Sequence, residues 1–262
     1  MLTKEIVYIG DFKNEADELQ KTFGRTDLFS TGDPNLDAYM GGGGFGRPKG
    51  YEIVLLYGST GIGKSLAALN WIRPAIVAGK KVGLLILEDD MADVSVRLSH
   101  ILSYREYEAM NKSKNIICLP KQALIRSWSL DELLGYIEDW FTELNVDLIL
   151  LDHLQYAFEG AESIKGENEW IAQRVFMQKL NQVMKRVKKT IILVSHINKG
   201  PNKGMDRVVG SGAIAQAATK VIEVSRDDTG SMKVRLHKSR FTKTPMDDYI
   251  VYFDGLKLVG QK

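Results

Sequence analysis

The eight residues GSTGIGKS, Gly58 to Ser65, constrain this chain more than any other stretch. They fit the pattern G-x-x-x-x-G-K-[ST], and the flanking sequence gives the pattern meaning. YEIVLLYG before it is a continuous apolar run that reads as a buried strand, and KSLAALNWIRPAIVAG after it reads as a helix. A strand, a glycine turn and a helix in that order make a loop whose backbone N–H groups point inward at phosphate oxygens. Gly58, Gly61 and Gly63 permit the curl, with Ser59, Thr60 and Ile62 between them. Lys64 brings a mobile positive charge to the β- and γ-phosphates, and the Ser65 hydroxyl is a ligand for Mg²⁺. The expected ligands are therefore ATP, or another nucleoside or deoxynucleoside triphosphate, with Mg²⁺.

Downstream, apolar runs alternate with helical patterns. KVGLLILE, NIICLP, VDLILLD and TIILVSH read as strands. MADVSVRLSHIL, SLDELLGYIEDWFTEL and GENEWIAQRVFMQKLNQVMKRVKK read as helices, the second opened by a capping box of Ser129 and Glu132. This alternation predicts an α/β fold, a mainly parallel sheet covered by helices on both faces. After residue 218 the helices stop, and TKVIEVSR, MKVRLHKSRF and YIVYFD read as strands added antiparallel to the sheet. Before the loop, Asp33 followed by Pro34 predicts a short helix reaching to about Met40 and stopped by the glycines. Residues 1–30 read as an appendage with one amphipathic helix near 14–23, and residues 31–262 as the main domain.

The carboxylates fall where a nucleotide enzyme needs them. LILLD offers Asp152 at a strand end, suited to hold Mg²⁺ together with Ser65. His153 follows rather than a glutamate, so the base that activates water comes from elsewhere. Glu88, in the strand end LEDD, is the candidate, because ligands of parallel sheets bind at the carboxyl edge. One of Asp89 and Asp90 is expected to cap the next helix.

Near the C-terminus, VRLHKSRFTKTP alternates like a strand. Simple alternation would line Leu236, Lys238 and Arg240 along one face. Two neighbouring cations repel unless an anion lies between them, or unless charge serves to protect a strand edge. Between Lys179 and Arg207 there are eight Lys or Arg and a single acid, Asp206. A solvated helix face accounts for part of that bias and a phosphate-facing surface for the rest. The overall charge is only +2 and does not announce nucleic acid. Cys118 is the single cysteine, which excludes an internal disulfide and a cysteine-based zinc site. It is expected to be a buried thiol. No apolar run is long enough to span a bilayer, and the N-terminus lacks a signal-peptide core, so a soluble, cytoplasmic protein without membrane partners is expected.

The segments TGDPNLDAYMGGG, LILEDDMADVSVRL, LILLDHLQ, VSHINKG, GSGAIAQAATKVIEVSR and VRLHKSRFT occur in an order that resembles the RecA-like core of the DnaB-like replicative helicases. The likeness is greatest to the helicase half of phage primase–helicases and their mitochondrial counterpart. It covers about residues 31–259. The resemblance implies a RecA-like P-loop NTPase core that assembles into a ring, usually a hexamer, with ATP sites between subunits. It implies that Lys238 and Arg240 are fingers reaching into a neighbour's nucleotide site, and that His196 senses the γ-phosphate. It implies that Asn198, Lys199, Lys203 and Arg207 line a channel for single-stranded DNA, and that Arg226 and Tyr252 sandwich the base. The helix at 14–23 would be a linker packed on the next subunit. A primase, polymerase or helicase loader would be further partners, and a phage or plasmid system in bacterial cytoplasm the setting. Two other functions fit the same fold: a RecA/RadA-like recombination ATPase that forms filaments on DNA, and a nucleotide-switched regulatory ATPase.

Overall fold

The computed structural model describes residues 29–47, 50–120, 129–159, 169–196 and 212–260. The appendage up to residue 28 and the segment with Asn198, Lys199, Lys203 and Arg207 lie outside the described residues. At the edge of the appendage, Phe29 pairs with Phe45 in a β-bridge and Ser30 Oγ donates to Asp37 (2.5 Å), so both already belong to the packed domain.

In chain order the elements are α1 (Pro34–Tyr39), β1 (Glu52–Gly58), α2 (Lys64–Val77), β2 (Val82–Ile86), α3 (Met91–Ile101), α4 (Tyr104–Ser113), β3 (Ile116–Pro120), α5 (Leu130–Thr142) and β4 (Leu148–Asp152). There follow α6 (Leu154–Glu159), α7 (Glu169–Val187), β5 (Thr190–His196), α8 (Gly212–Ala217), β6 (Lys220–Arg226), β7 (Met232–Ser239), β8 (Tyr249–Asp254) and β9 (Lys257–Gly260). All nine strands join one sheet in the order β3-β2-β4-β5-β1-β6-β7-β8-β9. Pairing is parallel from β3 through β6 and antiparallel from β6 to β9. This is the expected α/β architecture. The change of direction comes one strand later than the sequence suggests, because the short helix α8 returns the chain and lets β6 lie parallel to β1.

Strands β1, β2 and β4 are buried along their whole length, as continuous apolar runs covered on both faces must be. One core cluster packs α5, α6, α7 and α8 on one face, and the other packs α1, α2 and α3 on the opposite face. Local chemistry starts the helices where the sequence indicates. Asp33 accepts from the N–H groups of Asn35 and Leu36, with Pro34 in the first turn. Ser129 and Glu132 form their reciprocal cap. The helix α4 was not foreseen, although its signal is present: Ser103 and Glu106 form the same capping box. Helices α6 and α8 have six residues each, too short for periodicity to register.

Two expectations are corrected. Cys118 is exposed, not buried, because β3 is an edge strand paired only with β2. Leu236 does not share a face with Lys238. The register of β6 with β7 slips between Val221 and Ile222, leaving His237 as the extra residue of a β-bulge. Ile222 pairs with Leu236 on the α2 side of the sheet, while Val221 pairs with Lys238 on the α8 side. The bulge thus turns the end of β7 over, and Lys238 and Arg240 are aimed together at α8.

Candidate nucleotide site

The loop Gly58–Ser65 connects β1 to α2, and sterics dictate its glycines. A Cβ on Gly58 would collide with the backbone carbonyl of Val224 and the Ile62 side chain, so β1 can approach β6 there only without one. Gly63, at the N-cap of α2, has φ +96°, a conformation that side chains disfavour. Behind it the first turn of α2 presents free N–H groups and the positive end of the helix dipole, an electrostatic setting for phosphate.

Lys64 is buried, and its Nζ donates to the Ser59 carbonyl (2.9 Å) and lies 3.1 Å from His196 Nδ1. Burial lowers its pKa, while the charges of Asp152 and Glu88 oppose the shift. The ammonium is therefore a desolvated cation whose interactions are mostly with neutral groups, ready for phosphate oxygens. His196 ends β5 in register with Gly58, and Thr60 Oγ1 also lies 3.3 Å from its Nδ1. Burial first, then Lys64, depress its pKa to about 4, so the ring is neutral and Nδ1 accepts the lysine proton.

Asp152 ends β4. The carboxylate was expected on a strand next to β1, but β5 lies between β4 and β1. It still reaches across, bonding to Ser65. Burial is the main reason its pKa rises to about 7; Glu88 and Asp89 add to the rise, while Ser65 and Lys64 oppose it. Its Oδ1 is buried without a hydrogen-bond partner among the described residues. An orphaned carboxylate oxygen beside a serine hydroxyl fits a hard divalent cation that takes oxygen ligands, so this pair matches Mg²⁺.

Glu88 lies two residues past β2 and lines the same cleft, of about 290 Å³, with Thr60, Lys64, Ser65, His153 and His196. Asp89 pairs with Arg97 of α3, and Arg97 lines the cleft too, a cation the sequence offered no pattern to single out. Asp90 occupies the N-cap of α3 without a side-chain cap bond. His153, unassigned by sequence reasoning, is fully buried and stacks on His196 with ring centroids 3.7 Å apart.

Arg226 ends β6 and lies over the Phe253 ring at 5.7 Å, and both approach Gly63. Phe253 packs on the α2 side of the sheet, whereas Tyr252 faces the other way and is exposed, as alternation along β8 requires. The aromatic beside the phosphate loop is thus Phe253, one residue from the tyrosine expected there.

Lys238 and Arg240 sit apart from this cleft's lining. Lys238 Nζ donates to the carbonyls of Ala215 (3.0 Å) and Gln216 (2.6 Å), and Arg240 Nη2 donates to Gln216 (3.1 Å). They cap the carboxyl end of α8, and among the described residues neither pairs with a carboxylate. Burial, then Arg240, bring the Lys238 pKa down to about 8. The basic bias noted from Lys179 onward is largely neutralised in its helical part: Lys179 pairs with Asp131, Arg186 with Glu138 and Lys189 with Asp147. Those pairs are structural contacts of α7 and its end, not a surface left open for phosphate.

Fold and site together define a RecA-fold P-loop ATPase. A family model described as "ATPase: KaiC" matches residues 29–255, and the chain belongs to that family. Among solved structures it is similar to a KaiC-like protein from the hyperthermophilic archaeon Pyrococcus horikoshii. That likeness has 21% identity and a TM-score of 0.69, over 91% of this chain and 100% of the other. It is also similar to the solved ATPase domain of a helicase, with 14% identity and a TM-score of 0.72, over 98% of this chain and 100% of the other. No curated protein matches the sequence. Among the described residues no helix is long and apolar enough to cross a membrane.

Proposed function

We propose that the chain is the motor domain of a ring-forming replicative DNA helicase, which hydrolyses ATP to translocate on single-stranded DNA and unwind duplex. One observation carries the reading: Lys238 and Arg240 lie side by side at the end of β7, held only by carbonyl oxygens. Carbonyl contacts hold a cation without neutralising it. An anion that would complete such a pair is the triphosphate bound to a second copy of the chain.

Within one subunit, Lys64 turns from Ser59 and His196 to the β- and γ-phosphates as the loop N–H groups take up their oxygens. Ser65 and Asp152 would hold Mg²⁺, which supplies positive charge against the phosphates. Glu88 accepts a proton from the water that attacks the γ-phosphorus, and the bond to the β-phosphate oxygen breaks to release ADP. Arg240 and Lys238 of the neighbour neutralise charge on the γ-phosphate oxygens as it leaves, an effect worth about 10³ to 10⁵ in rate for an inserted arginine. His196, released by Lys64, reports the γ-phosphate to the segment after β5. There Asn198, Lys199, Lys203 and Arg207 would grip the DNA backbone without reading sequence. Arg226 and Phe253 would hold the base, in place of Arg226 and Tyr252.

The family match supports a second reading, a nucleotide-switched regulatory ATPase that acts on a protein partner. A forked-duplex unwinding assay with wild type and Lys64→Ala, run beside mass measurement of the assembly, separates the two. The helicase reading expects a multi-subunit ring, ATPase stimulated by single-stranded DNA, and unwinding lost in Lys64→Ala. A monomer that hydrolyses ATP at the same rate with and without DNA would sink it.

A further inference from the structure

The cleft holds a constellation that the ATPase chemistry does not use as a unit. Glu88 follows β2, His153 follows β4 and His196 ends β5, and three potential ligand atoms, one from each, lie within 4.8 Å of one another. Two imidazoles and one carboxylate form a donor set suited to borderline-soft ions such as Zn²⁺, with a fourth position left for water or a phosphate oxygen. Hard ions prefer the all-oxygen pair Ser65 and Asp152 beside it. A tetrahedral zinc site has ligand atoms about 3.3 Å apart, so the three groups must close by roughly 1.5 Å. Glu88 and His196 sit at element ends, where side chains have room to turn.

His153 supplies the independent sign of a ligand. It is completely buried, it lines the cleft, and neither ring nitrogen meets a hydrogen-bond partner among the described residues. Buried polar atoms are almost always satisfied, so an imidazole at a cleft wall with both nitrogens unmet is an open ligand position. Its neighbour His196 is neutral and therefore also able to ligate.

We propose that Glu88, His153 and His196 form a site for a transition-metal ion of the Zn²⁺ class, distinct from the Mg²⁺ pair, whose occupation blocks ATP turnover. The block rests on the roles assigned above to Glu88 and His196: a glutamate bound to metal cannot take a proton from water, and a ligated histidine cannot report phosphate. The ion also sets a second positive centre beside Lys64, which lies 3.1 Å from His196.

The test uses the full chain without nucleotide and Co²⁺ as a spectroscopic probe, with Mg²⁺ in excess throughout. Wild type should show the visible bands of a low-coordinate Co²⁺ site, and Zn²⁺ should displace them. His153→Ala and His196→Ala should each weaken binding by at least about tenfold, since loss of a ligand costs no less than loss of an outer-shell partner. His100→Ala, an exposed histidine of α3, should bind as wild type does. Circular dichroism separates a lost ligand from a lost fold, and Glu88→Gln gives a third variant if a histidine change unfolds the chain. Zn²⁺ should reduce wild-type ATPase at least about tenfold at concentrations that fill the site. Equal binding by wild type and all three ligand variants overturns the site, and the ATPase reading survives that result. Binding at the site with undiminished turnover overturns the block, and with it the roles given to Glu88 and His196.

Discussion

The two cationic centres of this molecule are built on opposite plans. Around the phosphate loop, Lys64 is buried among Ser59, His196, Asp152 and Glu88, and the groups around it are mostly neutral or displaced in pKa. At the end of β7, Lys238 and Arg240 stand at the rim, Arg240 exposed, on backbone carbonyls of α8. The first centre is assembled within one chain, from four strand ends and a loop. The second has positive charge and no anion among the described residues. Burial costs a charge several kcal/mol unless something compensates, so a buried lysine needs a designed surrounding and an exposed finger does not. The contrast is what a divided active site requires: rigid machinery on one side, and a solvated cation free to meet a second copy.

Four experiments put this contrast at risk. The largest effect is expected from Arg240→Ala. It should bind nucleotide as wild type does, yet hydrolyse it about 10³-fold more slowly or worse. Mixed into wild type, it should depress activity by more than its mole fraction; strictly proportional loss would mean the arginine acts in its own subunit. Next, Glu88→Gln should lower turnover by about 10² to 10⁴ while leaving ATP affinity near wild type, read by single-turnover kinetics. An unchanged rate would move the base elsewhere, with Asp89 the nearest alternative.

The third concerns the seam between the two regions. Asn70 of α2 donates to the carbonyls of Leu66 and Leu256 and accepts from the Leu258 N–H, tying the phosphate-loop helix to β9. Because it is buried, Asn70→Ala should cost about 1–3 kcal/mol of stability in denaturant melts. A loss no greater than for a surface substitution would show that β9 is not anchored there. The smallest effect is a pH dependence. Lys238 carries its charge below about pH 8, its folded pKa being lower than the ordinary 10.5. Between those values the unfolded chain binds more protons than the folded one, so this group makes stability rise with pH while the finger loses charge. Turnover should fall a few-fold from about pH 7 to about pH 9, and Lys238→Arg, charged to far higher pH, should flatten the decline.

Much of the site could be read directly from the residues. The phosphate loop, Ser65, Asp152 and Glu88 lie at strand ends that apolar runs mark plainly, and the structure brings all of them to one cleft. Its other members escaped notice for specific reasons. Arg97 enters from a helix, where nothing in the sequence distinguishes it from any amphipathic arginine. Phe253 rather than Tyr252 reaches the loop because side-chain faces alternate residue by residue, and an alignment loose by one position reverses the face. The same parity governed β7. Strict alternation grouped Leu236 with the two cations, and a one-residue bulge at His237 separated them.

The α/β alternation, the loop that curls around phosphate and the helix caps were all written in the order of the amino acids, since these depend on contacts within a few residues. Three features needed the folded molecule: β5 intervenes between β1 and β4, β6 runs parallel, and His153 stacks on His196. They arise from pairing between strands far apart in the chain, where the choice among neighbours is made by packing both faces of one sheet at once, and no local pattern carries it.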